Sequence, residues 1–297
     1  MPYLLLVLTT LFWSGNFVVS RGMHAALPPL ALSFWRWAVA CLILCLFGLH
    51  HLRRQRELAR AHWKFLAVQA LLGVAGFNTF IYWAMQSTTA INAALINSAT
   101  PILIVVISWL RFGERLAWRQ GLGVMLSLCG VIFIISGGDL TALVGMRVSF
   151  GDLLVFIAGC TWSTYSVNLR NYPAGLHPLS YQTAIALIGL FALLPLYLLE
   201  LLSGRTFTVT TATVATILYV AVFASVLAFI FWNRAVTILG ANSAGPFIHL
   251  MPVFSTILAV LFLGETLGMV QVVAIFMIFG GIILTTTRLG NRKNPPS

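Results

Sequence analysis

The sequence repeats itself after half its length, and this repeat limits the folds open to the chain more than any other feature. Pro101 is followed thirteen residues later by Glu114, and Pro252 is followed thirteen residues later by Glu265. The two copies therefore lie 151 residues apart. A period of half the chain indicates two related structural halves. The same offset pairs Leu116 with Leu267, Gln120 with Gln271 and Gly130 with Gly281.

The repeat also extends upstream, where the offset is 149 residues. The Trp-Ser pair that begins at Trp13 recurs at Trp162, and Arg21 recurs as Arg170. Loops of unequal length in the two halves account for the difference of two residues. The predicted boundaries are residues 1–148 for the N-terminal repeat and residues 149–297 for the C-terminal repeat.

The composition indicates that both halves lie in a membrane. Of the 297 residues, 60% are hydrophobic and 8% are charged, and the mean hydropathy is +0.98. Soluble domains of this size are far more polar. A bilayer core about 30 Å thick needs roughly 20 apolar residues per helix, so the chain accommodates about ten spans. The alternating pattern of transmembrane strands is absent. The predicted spans are residues 3–20, 30–49, 65–86, 91–110, 119–136, 150–169, 179–199, 212–233, 242–263 and 268–287.

The cations between the spans predict the orientation. With a cytoplasmic N-terminus, thirteen Lys and Arg residues lie inside and only three, Arg21, Arg147 and Arg205, lie outside, in agreement with the positive-inside rule. An odd number of spans per repeat makes the second half enter from the opposite face. We therefore predict an all-α polytopic membrane protein, with ten transmembrane helices as two inverted five-helix repeats and both termini cytoplasmic. The net charge of +11 then reflects loop cations and no nucleic-acid surface.

The spans and their motifs resemble a known family. Ten spans, the repeated Trp-Ser pair, and a proline followed by Gly-Glu in the fourth and ninth spans resemble the drug/metabolite transporter superfamily, EamA type. The resemblance covers nearly the whole chain. It implies a secondary transporter of the bacterial inner (plasma) membrane that exports small amphipathic metabolites by alternating access through a central cavity. Within the superfamily, the sequence is similar to exporters of aromatic amino acids and methionine.

Polar and aromatic residues recur at helical spacing in several spans, and such faces turn away from lipid. We interpret them as the walls of one substrate cavity, aromatic with a few amides, which suits a neutral or zwitterionic amino acid. Helix packing by small polar residues and interfacial belts of Trp and Tyr are the alternative. The candidate cavity residues are Trp13, Asn16, Asn78, Tyr82, Asn97, Trp162, Tyr165, Phe229, Trp232 and His249.

Pro101 and Pro252 each lie within a predicted span. A proline removes one helical hydrogen bond, so we expect kinks and free carbonyls near Asn97 and Ile248. Single prolines are common in membrane helices. Because these two occupy the same repeat position, we predict that they are gating hinges.

Several titratable positions have two interpretations. His249 either lines the substrate path, with the further option of carrying a coupled proton, or bonds a neighbouring helix as a neutral imidazole. Arg36, near the outer end of the second span, either extends to the lipid headgroups or attracts a substrate carboxylate. Glu114 and Glu265 lie at span ends, where helix termination and packing is the expected role.

The residues that are missing exclude several classes of function. No Asp or Glu occupies the middle of a predicted span, so the sequence offers no carboxylate proton relay or sodium site. It has no phosphate-binding loop, nucleophile motif or metal-ligand cluster. We expect no cofactor, metal or disulfide, and the lipid bilayer and a small-molecule substrate as partners; a monomer is compatible with the pattern. The alternatives are a multidrug or other metabolite exporter of the same fold and, less favoured, an integral-membrane enzyme or scaffold.

Overall fold

A computed structural model of the chain describes residues 1–23, 26–84, 86–88, 90–139, 141, 149–263 and 268–286. These residues form helices joined by short loops, and none of them lies in a β-strand, which confirms the all-α prediction. A short helix, Arg56–Ala61, connects the second and third helices. The other helices are α1 (Pro2–Gly22), α2 (Pro29–Arg54), α3 (Trp63–Ala84), α4 (Ala90–Asn97 and Thr100–Phe112), α5 (Trp118–Ile135), α6 (Phe150–Asn168), α7 (Pro178–Leu202), α8 (Thr211–Leu239), α9 (Ala241–Ala244, Gly245–His249 and Leu250–Leu263) and α10 (Met269–Thr286).

Eight helices of the described residues are long and apolar enough to cross a membrane. The helices α6 and α9 are not among these eight. The regular part of α9, Leu250–Leu263, has only 14 residues. Helix α6 has 19 residues, but 12 of them are buried by neighbouring helices. A helix enclosed by protein does not need an apolar surface on every side, so α6 can carry the polar residues that lower its hydropathy.

The predicted span ends agree with the helix ends to within three residues at all but two positions. Helix α2 continues to Arg54, five residues past the expected end at 49, and α8 continues to Leu239, six residues past 233. A hydrophobic pattern marks the part of a helix that lies in lipid, whereas a helix ends where the backbone is interrupted. Helix α8 ends at Gly240, which has a φ of +83° that favours glycine.

Local sequence determines several helix starts. Proline, whose missing N–H costs nothing in the first turn, begins α1, α2 and α7. Ser149 Oγ accepts a hydrogen bond of 3.2 Å from the Asp152 N–H at the start of α6. Thr210 Oγ1 accepts one of 3.2 Å from the Thr213 N–H at the start of α8. These caps satisfy N–H groups that would otherwise be unpaired at a helix end.

The helices pack reciprocally between the two halves of the chain. Helix α2 packs against α7, and α5 packs against α10. The contact of α1 with α8 has its counterpart in the contact of α6 with α3, and α1 with α9 corresponds to α6 with α4. The contact of α2 with α8 likewise corresponds to that of α7 with α3. Each pairing joins one helix of the first half to one of the second, so the halves interlock.

Irregular backbone recurs at equivalent repeat positions. Helix α3 contains a π-helical segment, Ala70–Gly76, and α8 contains one at Val220–Leu227, about 150 residues later. Helix α4 is interrupted between Asn97 and Thr100, and α9 passes through a 3₁₀ segment at Gly245–His249. The expected kinks are therefore full interruptions, with each repeat proline in the first turn of the segment that follows.

Two repeat glycines allow α5 and α10 to approach closely. A methyl group added to Gly130 would lie 2.9 Å from the carbonyl oxygen of Ala274, and one added to Gly281 would lie 2.5 Å from that of Gly123. Small residues at such contacts let helix backbones pack closely within a membrane. Glu265, the repeat partner of Glu114, and the predicted loop cations Arg147, Arg288, Arg292 and Lys293 lie outside the described residues.

Candidate substrate cavity

Five aromatic side chains meet where α1, α6 and α8 pack together. Trp13 and Trp162, the repeat tryptophans, meet edge to face with 5.0 Å between ring centroids, and Trp13 lies 5.4 Å from Trp232. Trp162 stacks on Tyr165 at 5.2 Å and meets Phe229 edge to face at 5.5 Å. Offset and edge-to-face pairs contribute roughly 0.5–1.5 kcal/mol each beyond area burial. The cluster therefore joins helices from both halves.

A cavity of about 40 Å³ lies against this cluster. Its walls come from α1 to α4 in the first half and from α6, α8 and α9 in the second. A water molecule needs about 10–15 Å³ of such space, so the cavity holds a few waters. An amino acid fits only after the surrounding helices separate, since small-molecule sites measure roughly 300–1,000 Å³.

Arg36 of α2 lines this cavity and is only 1% exposed. Its Nε donates a hydrogen bond of 2.9 Å to Ser225 Oγ of α8. Its Nη1 donates to Asn78 Oδ1 at 2.9 Å and to Tyr82 Oη at 3.0 Å, both on α3. None of the ion pairs among the described residues includes Arg36. The headgroup interpretation is therefore wrong, because neutral acceptors from two other helices hold the guanidinium inside the bundle.

A buried hydrogen-bond network supports the cluster on another side. Tyr165 Oη donates to Asn233 Oδ1 at 2.7 Å, and Asn233 Nδ2 donates to Gln182 Oε1 at 3.0 Å. Gln69 Nε2 donates to Tyr181 Oη at 3.0 Å. Four helices, α3, α6, α7 and α8, contribute these side chains. A buried polar network of this kind fixes the position of the rings attached to it.

A second, larger pocket of about 450 Å³ lies beyond this network, at the ends of α4, α6 and α8. Asn233 lines the pocket, and its partner Tyr165 stacks on the cavity wall at Trp162. Tyr165 is fully buried and lines neither space. The aromatic cluster and the network therefore separate the larger pocket from the small cavity.

Glu114 joins three helices at the rim of the larger pocket. It forms an ion pair with Arg170, which follows α6. Its Oε2 accepts hydrogen bonds from Ser108 Oγ of α4 at 2.6 Å and from Asn242 Nδ2 of α9 at 3.1 Å. Helix termination was the expected role of this residue. The structure adds that its carboxylate connects both halves of the chain.

The repeat motifs contact each other across the two halves. Ser163, in the Trp-Ser pair of α6, donates a hydrogen bond of 3.3 Å to the carbonyl oxygen of Thr100. Ser14, in the equivalent pair of α1, donates one of 3.0 Å to the carbonyl oxygen of Met251. Each acceptor directly precedes a repeat proline. The Trp-Ser pair of one half is therefore attached to the interrupted helix of the other.

His249 is fully buried and lies outside the lining of the small cavity. Its Nε2 is 2.9 Å from the carbonyl oxygen of Ser98 on α4, which only accepts, so Nε2 carries a proton. Its Nδ1 is 2.7 Å from Ser127 Oγ on α5. This geometry matches the alternative of a neutral imidazole that bonds neighbouring helices. The described residues contain no cluster of three or more His, Cys, Asp or Glu side chains able to hold a metal ion.

The structure brings six of the ten candidate residues together at the cavity, and their role in binding substrate stays a prediction. Tyr165 and Trp232 lie behind the wall, Tyr82 bonds Arg36, and His249 lies among α4, α5 and α9. The six that line the cavity are Trp13, Asn16, Asn78, Asn97, Trp162 and Phe229. The sequence interpretation omitted Phe17, Arg36, Phe77, Thr100, Ile248 and Met251, which also line it.

The chain is similar to membrane transporters along its whole length. A model of the EamA-like transporter family matches residues 1–136 and 149–287. An uncharacterized transporter of Archaeoglobus fulgidus is 30% identical over 96% of this chain and 97% of its own. The uncharacterized transporter YyaM of Bacillus subtilis is 23% identical over 95% and 92%.

Two further similarities concern substrate and fold. A protein of Streptantibioticus cattleyicolor named as a probable terminal-alkyne amino-acid exporter is 25% identical over 97% of this chain and 94% of its own. A solved crystal structure with 22% sequence identity matches with a TM-score of 0.79 over 96% of both chains. At this identity the structural match establishes a shared fold.

Proposed function

This chain belongs to the EamA-like transporter family, and we propose that it exports small amphipathic metabolites, chiefly aromatic amino acids and methionine. Family membership makes it a multi-pass membrane transporter and not an enzyme. The proposed route is the cavity between the two halves, opened alternately to each side of the membrane. The proposed location is a bacterial plasma membrane with both termini cytoplasmic.

The cavity is the observation that carries this proposal. Its walls come from both halves of the chain, so a relative movement of the halves would change its access. Trp13, Trp162 and Phe229 offer aromatic surface, and Asn16 and Asn78 offer amides. Such a lining suits a solute with an apolar side chain and a polar end.

Two further features support an arrangement of ten spans as two inverted repeats. The reciprocal helix contacts are those expected when a two-fold axis relates residues 1–148 to residues 149–297. The interrupted helices α4 and α9 occupy equivalent positions, as broken helices do in many transporters built from inverted repeats. The predicted excess of cytoplasmic cations supports the orientation.

The relative named as an amino-acid exporter supports the choice of substrate class. The aromatic walls favour phenylalanine, tyrosine, tryptophan and methionine over polar amino acids. A multidrug or other metabolite exporter of the same fold is the alternative. It differs in one measurable respect, because its transport of phenylalanine would not saturate or would yield readily to unrelated apolar compounds.

Liposomes that contain the purified full chain provide the test. We expect saturable uptake of labelled phenylalanine above protein-free liposomes, reduced by unlabelled tryptophan and methionine. Phe229→Ala should lower uptake about tenfold, because the lost ring contacts amount to about 1.4 kcal/mol. Phe191→Ala is the matched control, since Phe191 is 78% exposed on the outside of α7 and should leave uptake unchanged. Uptake no faster than in protein-free liposomes would contradict the proposal.

A further inference from the structure

The small cavity has a cationic end. The guanidinium of arginine is a permanent cation with five N–H donors. Nε and Nη1 of Arg36 bond to neutral side chains, whereas Nη2 has no hydrogen-bond partner among the described residues. A buried cation without a counter-ion is costly. Arg36 therefore lacks both a negative partner and part of its hydrogen bonding.

A second unpaired donor lies beside it. Asn78 is 6% exposed and lines the same cavity. Its Oδ1 accepts from Arg36, so its Nδ2 points elsewhere, and Nδ2 is buried without any partner. Buried polar groups are almost always hydrogen-bonded in native structures. Two unsatisfied donors at one cavity wall, one of them cationic, match the acceptor oxygens of an anionic group.

This polar end occurs in one half only. At the offset of 149 residues, the position equivalent to Arg36 is Ile185, which is buried. At the offset of 150 residues between the two π-helical segments, Asn78 corresponds to the buried Ala228. The half that lacks the donors contributes Trp162 and Phe229 instead. The cavity is therefore cationic at α2 and α3 and aromatic at α6 and α8.

The cavity offers no matching anionic end. The buried carboxylates of the described residues are Asp152 and Glu200, and neither lines it. Glu200 accepts from the N–H groups of Leu30 and Ala31 at the start of α2. Asp152 accepts from Ser149 N at the start of α6. An ammonium group on a substrate would therefore meet amide oxygens and rings, and no negative charge.

We propose that Arg36 and the free amide donor of Asn78 bind the carboxylate of the transported molecule, and that its α-amino group is not required. The inference rests on the proposed transport function and enlarges its substrate class to monocarboxylates with an aromatic or apolar side chain, of which the aromatic amino acids are members. Arginine and amide donors hold a carboxylate through charge-assisted hydrogen bonds. The rings of Trp162 and Phe229 accommodate the side chain.

Four ligands with the same aromatic group test the proposal on the wild-type chain. 3-Phenylpropionate has the carboxylate without the amine, and phenethylamine has the amine without the carboxylate; L-phenylalanine and L-phenylalaninamide complete the set. We expect 3-phenylpropionate to compete for labelled phenylalanine uptake about as well as phenylalanine itself. Phenethylamine and phenylalaninamide should be about 10- to 100-fold weaker, as hydrogen bonds to a charged group are lost.

Variants of Arg36 provide the second arm, with binding measured by the rise of the melting temperature in detergent. In Arg36→Gln, the rise caused by 3-phenylpropionate should disappear, and Arg36→Lys should retain part of it. Arg54→Gln, at the exposed end of the same helix, is the matched control and should respond like the wild type. If Arg36→Gln does not fold, the wild-type ligand series decides alone.

The two arms separate this proposal from the proposed function. Phenethylamine acting as strongly as 3-phenylpropionate, or a folded Arg36→Gln that still responds fully to carboxylates, would overturn the carboxylate site while leaving transport intact. Carboxylate-specific stabilisation without any flux in liposomes would support the site and overturn the transport function. Absence of any ligand response would overturn both.

Discussion

His249 holds three helices together through its two ring nitrogens. Its contacts with the Ser98 carbonyl on α4 and with Ser127 Oγ on α5 are both buried. Loss of the imidazole would leave these two groups without their partner, at a cost of about 1–3 kcal/mol for each buried polar group. Such a position explains a histidine within a membrane helix without any proton transfer.

We therefore expect His249→Ala to lower thermal stability while leaving transport uncoupled from protons. In liposomes with wild-type protein, a pH gradient of one unit should change the final substrate accumulation by less than about twofold. Coupling to one proton would change it about tenfold, since one pH unit corresponds to about 1.4 kcal/mol. A gradient that drives uphill accumulation in the wild type, but not in a folded His249→Ala, would assign His249 to proton transfer.

Helical spacing in the sequence could identify residues on inward faces, but it could not assign their partners. Trp13, Asn16 and Trp162 reached the cavity because a polar or aromatic side chain deep in a span turns away from lipid. Arg36 was ambiguous because its acceptor Ser225 lies 189 residues away in the sequence. Tyr165 shares a face with Trp162, yet its hydroxyl bonds Asn233 behind the wall. Only tertiary packing decides such cases.

At the level of elements, the contact between α5 and α10 depends on the absence of side chains. A methyl group on Gly281 would lie 2.5 Å from the Gly123 carbonyl oxygen and 2.6 Å from the Ser127 nitrogen. The neighbouring Gly280 is different, because a methyl group there would meet only Leu126 Cδ2 at an ordinary distance of 3.7 Å. The two adjacent glycines thus form a matched pair.

Gly281→Ala should destabilise the protein, because backbone atoms cannot move away without separating the two helices. Overpacking of this kind costs about 1–3 kcal/mol. Gly280→Ala should be neutral or stabilising by up to about 1 kcal/mol, since alanine is the better helix former. Thermal unfolding of both variants in the same detergent measures the difference. A melting temperature as high in Gly281→Ala as in Gly280→Ala would show that the helices are less closely packed than described.

The sequence predicted the elements well because apolar runs and helix breakers are local. It underestimated the break in α4, where one proline indicated a kink. The interruption between Asn97 and Thr100 is wider because a carbonyl of this segment, Ser98 O, bonds His249 on another helix, and Ser163 bonds the Thr100 carbonyl. Partners from distant helices replaced the helical hydrogen bonds, and no local pattern reports them.

At the scale of the whole molecule, the proposed inversion of the two halves predicts which loops lie on each side. Reporters fused after Lys293 and within the segment 53–60 should both read as cytoplasmic. A reporter near Asp139 should read as external, because an odd number of spans separates it from the other two sites. A cytoplasmic signal near Asp139 would contradict the inverted arrangement.

The internal repeat made the overall plan predictable, since one half constrains the other. The reciprocal contacts of α1 with α8 and of α6 with α3 follow the same symmetry as the sequence offsets. The differences between the halves were less accessible. Arg36 and Asn78 have apolar counterparts in Ile185 and Ala228, so the polarity of the cavity comes from positions where the repeat is not kept.

The central claim is that the two halves alternately open one cavity through their interrupted helices. Pro101→Ala and Pro252→Ala each supply the N–H that a continuous helix needs. A continuous α4 or α9 should favour opposite open states, because the inverted halves exchange conformations during transport. Both variants should insert normally and transport more slowly.

One labelling measurement tests this directly. A single cysteine replaces Asn97 in a background without Cys41, Cys45, Cys129 and Cys160, and a membrane-impermeant thiol reagent is applied from one side at a time. We predict that Pro101→Ala raises labelling from one side and Pro252→Ala raises it from the other, each with reduced flux. Equal labelling from both sides in the two variants, together with normal flux, would contradict the account.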